Sequence, residues 1–210
     1  MKIKICGIRR EEDVRYLNET MPDYAGFIFA DTKRKVTEDQ AALLRRELDP
    51  RIQVFGVFVN APEEAVAAIA GKRTIDVIQL HGDETEEYIQ ALRGMTEAPI
   101  IKAVRVKNPA DILLADRLPV DYLLLDTYHR GQYGGTGETF SWELIPEELK
   151  HSYLLAGGIE AGNIRQALST VKDKGGCIGI DVSGGVETNG VKDKEKIKKI
   201  IETVHSYRMP

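Results

Sequence analysis

The sequence predicts a single-domain (β/α)8 barrel of the α/β class over residues 1–210. Two observations carry that expectation. Short β-branched or leucine-rich runs alternate eight times with amphipathic segments of helical period, and the runs begin about 20 to 30 residues apart, the length of one strand–helix unit. No Pro/Ser-rich linker or low-complexity tract interrupts the alternation. An open doubly wound sheet of this length usually holds fewer strands, so a closed TIM barrel fits better.

The first strand is expected at 2–7, where Lys and Ile alternate up to Cys6-Gly7, with its helix at 10–19. The pattern continues as strand 24–30 with helix 37–48, strand 53–60 with helix 62–71, and strand 77–82 with helix 84–94. Strand 99–106 precedes helix 108–116, and the leucine-rich strand 122–127 precedes helix 142–149. Strand 152–158 with helix 161–172 and strand 178–184 with helix 192–207 complete the expected barrel.

Chemistry in such barrels sits where strands end. Cys6 and Asp126 both stand where a strand run gives way to glycine or polar loop, and they read as a proton-transfer pair. Each also has a bland reading, Cys6 as a small buried hydrophobe and Asp126 as a turn acceptor. The strand period of two puts Lys4 on the face of Cys6, and Asp181 on that of Ser183. Strands one and eight are neighbours in a closed barrel, so a Lys4–Asp181 ion pair is expected beneath the cysteine. The Lys4 charge would make the thiolate more accessible, and Asp181 would offset part of that effect.

Two glycine-rich strand ends suit phosphate. Gly157-Gly158 follows the seventh strand and Ser183-Gly184-Gly185 the eighth, where glycine lets backbone N–H groups approach an anion and Ser183 adds a hydroxyl. The alternative is that these glycines only turn the chain. Neither end forms a nucleotide P-loop. Residues 129–137, with four glycines, form either a loop that closes over substrate or an irregular connector. They make no dinucleotide fingerprint, and four scattered histidines with two distant cysteines make no metal-ligand pattern. No cofactor and no metal are expected.

The formal charge of −4 disfavours nonspecific nucleic-acid binding, while Lys33-Arg34-Lys35 offers a local site for an anionic metabolite, or a solvated surface cluster. Nothing resembles a secretory leader or a membrane span, and Cys6 and Cys177 read as free thiols, so a cytoplasmic protein is expected.

Over nearly its whole length the chain resembles the phosphoribosylanthranilate isomerase family of tryptophan biosynthesis. The resemblance rests on ordered motifs: Lys4-Ile5-Cys6-Gly7, Gly26-Phe27-Ile28-Phe29, Gly56-Val57-Phe58-Val59-Asn60, Gln79-Leu80-His81-Gly82 and Leu124-Leu125-Asp126. It continues through Gly134-Gly135-Thr136-Gly137 with Phe140 and Trp142, Ala156-Gly157-Gly158, and 181–187. It implies a TIM barrel that performs an Amadori rearrangement of N-(5-phosphoribosyl)anthranilate, with Asp126 as general acid and Cys6 as general base. It further implies that Arg34 engages the anthranilate carboxylate, and that Gly157, Gly158, Ser183, Gly184 and Gly185 hold the phosphate of this phosphorylated aminoaldose. A monomer or homodimer is expected, without cofactor. Two positions depart from the family pattern, Thr32 and Gly184 standing where serines are common. Another phosphosugar isomerase and a silent phosphosugar-binding protein are the competing readings.

Overall fold

The computed structural model describes residues 1–127, 139–172 and 174–207. Eight parallel strands close into one barrel in chain order. They are β1 (Lys2–Cys6), β2 (Tyr24–Ile28), β3 (Gln53–Phe58), β4 (Val77–Leu80), β5 (Ile100–Val106), β6 (Tyr122–Thr127), β7 (Tyr153–Leu155) and β8 (Cys177–Val182). Closure is set by β1 against β8, with Lys4 opposite Asp181. Seven α-helices cover the outside among the described residues: α1 (Glu11–Thr20), α2 (Glu38–Glu47), α3 (Glu63–Gly71), α4 (Glu86–Arg93), α5 (Pro109–Ala115), α6 (Ile164–Lys172) and α7 (Lys194–Ser206). Thr37, Thr85, Asn108 and Asp193 cap four of them by accepting backbone N–H bonds.

Alternation along each strand divides the core in two. One set of side chains, including Ile3, Ile5, Val54, Ile78, Ile100, Leu123 and Leu125, packs outward under the helices. The other, built from Phe55, Val77, Ile101, Ala103, Leu124 and Leu154, fills the barrel axis. This second layer is the floor of the mouth where the strands end.

The helix expected at 142–149 is not formed. A single 3-10 turn, Trp142–Leu144, stands there, and Ile145 is extended at φ −69, ψ 123. Pro146 explains the difference, since it supplies no N–H and disfavours the helical region for the residue before it. Six strands also end before the expected boundary. Gly7, Phe29, Val59 and Gly157 extend the apolar or glycine pattern past the last strand residue, and Gly7 and Phe29 still bond the neighbouring strand through their N–H groups. The structure adds a hairpin after β8, β9 (Glu187–Thr188) with β10 (Val191–Lys192), turned by Asn189 and Gly190 at φ 53 and 77. Asn-Gly is the usual dipeptide for such a turn because both positions need positive φ.

Candidate active site

Cys6 is the last residue of β1 and is buried at the barrel mouth. Its sulfur lies against Gly26, where any Cβ would stand 2.7 Å from Sγ, so glycine opposite it in the register makes room for the thiol. Below it, Lys4 Nζ meets Asp181 Oδ1 at 3.1 Å, the pair expected from strand periodicity. Lys4 also sits 5.4 Å from the Phe55 ring centroid. Burial alone would lower the Lys4 pKa, but Asp181 and the thiol carry it above its ordinary value. For Cys6 the balance falls the other way. Burial is the largest influence and pushes the thiol up, against the opposing charge of Lys4, while Asp181 adds to the rise. The expected easing of thiolate formation by Lys4 is therefore outweighed by desolvation.

Asp126, near the end of β6, is buried and gripped on both oxygens. Its Oδ1 accepts the N–H of Thr127 at 2.8 Å, and Oδ2 lies 3.0 Å from His81 Nε2. His81 Nδ1 in turn lies 2.8 Å from Gln79 Nε2. Gly157 makes this packing possible: it adopts φ +85, and a Cβ there would collide with Thr127 and stand 2.9 Å from Asp126 Oδ1.

The two glycine ends form one cradle. Gly157 and Gly158 both take positive φ, 85 and 61. Gly184 and Gly185 open a 3-10 turn, whose first N–H groups have no partner within the turn. The ends touch, because any side chain at Gly185 would strike the carbonyl of Ile159. Ser183 differs from the expectation that its hydroxyl faces an anion. Its Oγ donates to the Cys6 carbonyl at 3.1 Å, which ties β8 to β1.

Arg34 lies at the same rim, not on the open surface. Its stem crosses Gly7, where a Cβ would stand 2.6 Å from Arg34 Cδ. Its guanidinium meets Glu187 through two bonds, 2.7 and 2.8 Å. Lys192 reaches the same carboxylate at 2.8 Å and the Ser183 carbonyl at 3.0 Å. Between these cations the Glu187 carboxyl falls to about 2 despite the opposing effect of burial. Burial nevertheless lowers Lys192, so Glu187 only partly compensates the loss of water there. Lys192 was missed in the sequence; the Asn189-Gly190 hairpin signal would have placed it beside Glu187.

A second missed element is the brace below His81. Buried Lys102 donates to the Gly82 carbonyl at 2.8 Å and to Glu84 Oε2 at 3.0 Å, while Glu84 Oε1 accepts from Asn60 N at 2.9 Å. A lone lysine inside a strand run gave no cue to its partners. Residues 129–137, the glycine-rich loop singled out above, lie outside the described residues. Among the described residues, no group of three His, Cys, Asp or Glu side chains is placed to hold a metal ion.

All eight candidate residues thus gather at the end of the barrel formed by the strand C-termini. A family model described as N-(5'phosphoribosyl)anthranilate (PRA) isomerase matches residues 3–203. The chain belongs to the phosphoribosylanthranilate isomerase family. A relative from Thermoanaerobacter sp., named N-(5'-phosphoribosyl)anthranilate isomerase, is 43% identical over 209 residues, covering 99% of this chain and 100% of the relative. The crystal structure of the Thermotoga maritima phosphoribosylanthranilate isomerase is 32% identical with a TM-score of 0.87, covering 99% of this chain and 100% of that one. Monomers of that dimeric enzyme have also been solved. Another isomerase structure, 30% identical with a TM-score of 0.80 and covering 99% and 100%, is in complex with reduced 1-(o-carboxyphenylamino)-1-deoxyribulose 5-phosphate.

For a phosphoribosylanthranilate isomerase, the two departures in sequence have local accounts. Thr32 keeps the hydroxyl that its place requires, its Oγ1 accepting the Arg34 N–H at 3.1 Å. Gly184 leaves a gap beside Arg34, whose Nη2 would be 3.7 Å from a Cβ there.

Proposed function

We propose that this family member isomerises N-(5'-phosphoribosyl)anthranilate with Asp126 as general acid and Cys6 as general base. The observation that carries the reading is their placement at one mouth, on β6 and β1, with the glycine cradle of the two intervening strand ends between them. Asp126 donates its proton to the furanose ring oxygen as the C1′–O bond breaks. The anthranilate nitrogen supplies the electron pair for the C1′=N bond. The resulting cationic nitrogen acidifies the C2′ hydrogen, which Cys6 removes as thiolate. The electron pair of that C–H bond becomes the C1′–C2′ double bond of an enolamine, and tautomerisation gives the ketone. No electron leaves the substrate, so the rearrangement balances with proton transfers alone.

Electrostatics bear on the second step. A thiol pushed up by burial is a weak base source at rest, but a positive nitrogen forming in the same dry site favours the thiolate. The phosphate is assigned to Gly157, Gly158, Ser183, Gly184 and Gly185, chiefly through backbone N–H groups. Arg34 is assigned to the anthranilate carboxylate, which a guanidinium fork matches at two points. The place in tryptophan biosynthesis follows from the family. A cytoplasmic location is assigned with that place in biosynthesis; among the described residues no helix is long and apolar enough to cross a membrane. The dimeric Thermotoga maritima enzyme makes a homodimer the assembly to weigh against a monomer by light scattering.

The deciding experiment follows the fluorescence of freshly generated phosphoribosylanthranilate. The purified protein should accelerate its loss beyond spontaneous decay, and folded Cys6→Ala and Asp126→Asn variants should each lose on the order of 10²- to 10⁴-fold in turnover. Wild-type turnover by either variant overturns its assigned role. No acceleration by the wild-type protein would redirect the site to another phosphosugar.

A further inference from the structure

We propose that Gln79 and His81 are positioning residues for Asp126, forming a one-way donor chain in which His81 is held as its Nε2–H tautomer. The inference rests on the reading of Asp126 as the acid and adds how its carboxyl is aimed. Three observations support it.

The first is the line of contacts itself, Gln79 Nε2 to His81 Nδ1 at 2.8 Å and His81 Nε2 to Asp126 Oδ2 at 3.0 Å. With the amide so oriented its nitrogen can only donate, which makes Nδ1 the accepting, unprotonated ring nitrogen. The ring proton then sits on Nε2 and points at Asp126.

The second is the orphan at the head of the chain. Gln79 Oε1 is buried without a hydrogen-bond partner. Turning the amide over would pair Oε1 with a proton on Nδ1 but leave both amide hydrogens without a partner, so two polar positions stay unmade in either orientation. What differs is the far end: the turned amide obliges Nδ1 to carry the proton, so Nε2 would accept the Asp126 O–H and hold the very proton the acid delivers. The observed orientation has Nε2–H donate instead, which leaves the Asp126 proton free for the ring oxygen.

The third is the rigidity of the mount. The His81 backbone N–H is held by the Phe58 carbonyl at 2.8 Å. Lys102 bonds the carbonyl of Gly82 at 2.8 Å, and its bridge to Glu84 is buried. With Thr127 N on Oδ1 and His81 on Oδ2, rotation of the Asp126 carboxyl is blocked from both sides. Such a clamp serves transfer to a fixed ring oxygen, because a proton donor misplaced by about 1 Å can lose on the order of 10²-fold in rate. Structural packing alone would not need an amide whose carbonyl is left unpartnered.

The test uses the full chain with ¹⁵N-labelled histidine, with His81→Gln to assign the signals. Wild-type protein should show His81 with a protonated Nε2 and an unprotonated Nδ1, and Gln79→Leu should move both shifts toward tautomer averaging. In steady state, His81→Ala should lower kcat by roughly 10- to 100-fold with KM nearly unchanged. His81→Gln, whose amide nitrogen can replace the Nε2 donor, should recover most of that loss. An Nδ1–H tautomer in the wild-type protein overturns the chain without any kinetic measurement. So does a folded His81→Ala at wild-type kcat, or a His81→Gln as slow as alanine. If Asp126→Asn itself keeps turnover, the acid assignment has failed instead, and the two failures are told apart.

Discussion

Arg34 grips Glu187 at two points, Nε to Oε1 at 2.7 Å and Nη2 to Oε2 at 2.8 Å, so one edge of its guanidinium is committed within the protein. Among the described residues its Nη1 makes no hydrogen bond, and that edge is the one left for a substrate carboxylate. Arg34→Lys keeps the charge but loses the fork, and it should raise KM by about 10- to 100-fold while changing kcat little, the loss expected for a charge-assisted bidentate contact. A Lys variant with wild-type KM in the steady-state assay would remove Arg34 from substrate recognition.

The same pair sets a pH dependence of stability. Glu187 is lowered from 4.5 to about 2 in the folded chain, so its contribution is fully present above 4.5 and is lost as pH falls toward 2. Glu187→Gln should be less stable than wild type at pH 7, with the gap closing across that window. Urea denaturation at a series of pH values measures it; a gap that stays constant from pH 7 to 2 would contradict the ionic origin.

Cys6 should titrate high. Iodoacetamide attacks the thiolate, so in a Cys177→Ala background the alkylation rate of Cys6 should keep rising through pH 8.5, the ordinary cysteine value being about that. The direction follows from burial outweighing Lys4. A rate that levels off near pH 7 would show that Lys4 wins.

Lys4 and Asp181 are both buried, and breaking such a pair strands one charge. Lys4→Met should destabilise the fold by about 3–5 kcal/mol, and Lys4→Met with Asp181→Asn should recover much of it. Chemical denaturation of the two variants decides; equal losses would mean that the pair is not what holds this end of β1 against β8.

Neighbouring glycines should respond differently. Gly185→Ala drives a methyl into the Ile159 carbonyl and should raise KM along with a stability loss of about 1–3 kcal/mol. Gly184→Ser meets only the Arg34 Nη2 at an ordinary contact distance of 3.7 Å from Cβ and should fold normally, with inorganic phosphate inhibiting it at least as well as wild type. Phosphate inhibition constants and thermal melts distinguish the two, and a tolerated Gly185→Ala would undo the account of one close-packed cradle.

Much of the site was legible in the sequence because its residues are fixed by strand register. Cys6, Asp126, Lys4 and Asp181 occupy strand positions whose facing follows from alternation, and the glycines at 157, 158, 184 and 185 announce backbone exposure at strand ends. The failures have equally local reasons. Helix 142–149 was read from its helix-compatible patterning while Pro146 forbade it, and several strands were drawn too long because an apolar or glycine pattern runs past their last paired residue.

The sequence by itself determined the number and order of the barrel strands, which side chains face the barrel axis, and which family the motifs resemble, because periodicity and glycine placement are properties of neighbours along the chain. Tertiary structure alone decided that Arg34 and Lys192 share the Glu187 carboxylate, that His81 and Gln79 reach Asp126, and that burial outweighs Lys4 at Cys6. Those outcomes depend on distances and desolvation between residues far apart in sequence, and neither quantity exists until the barrel has closed.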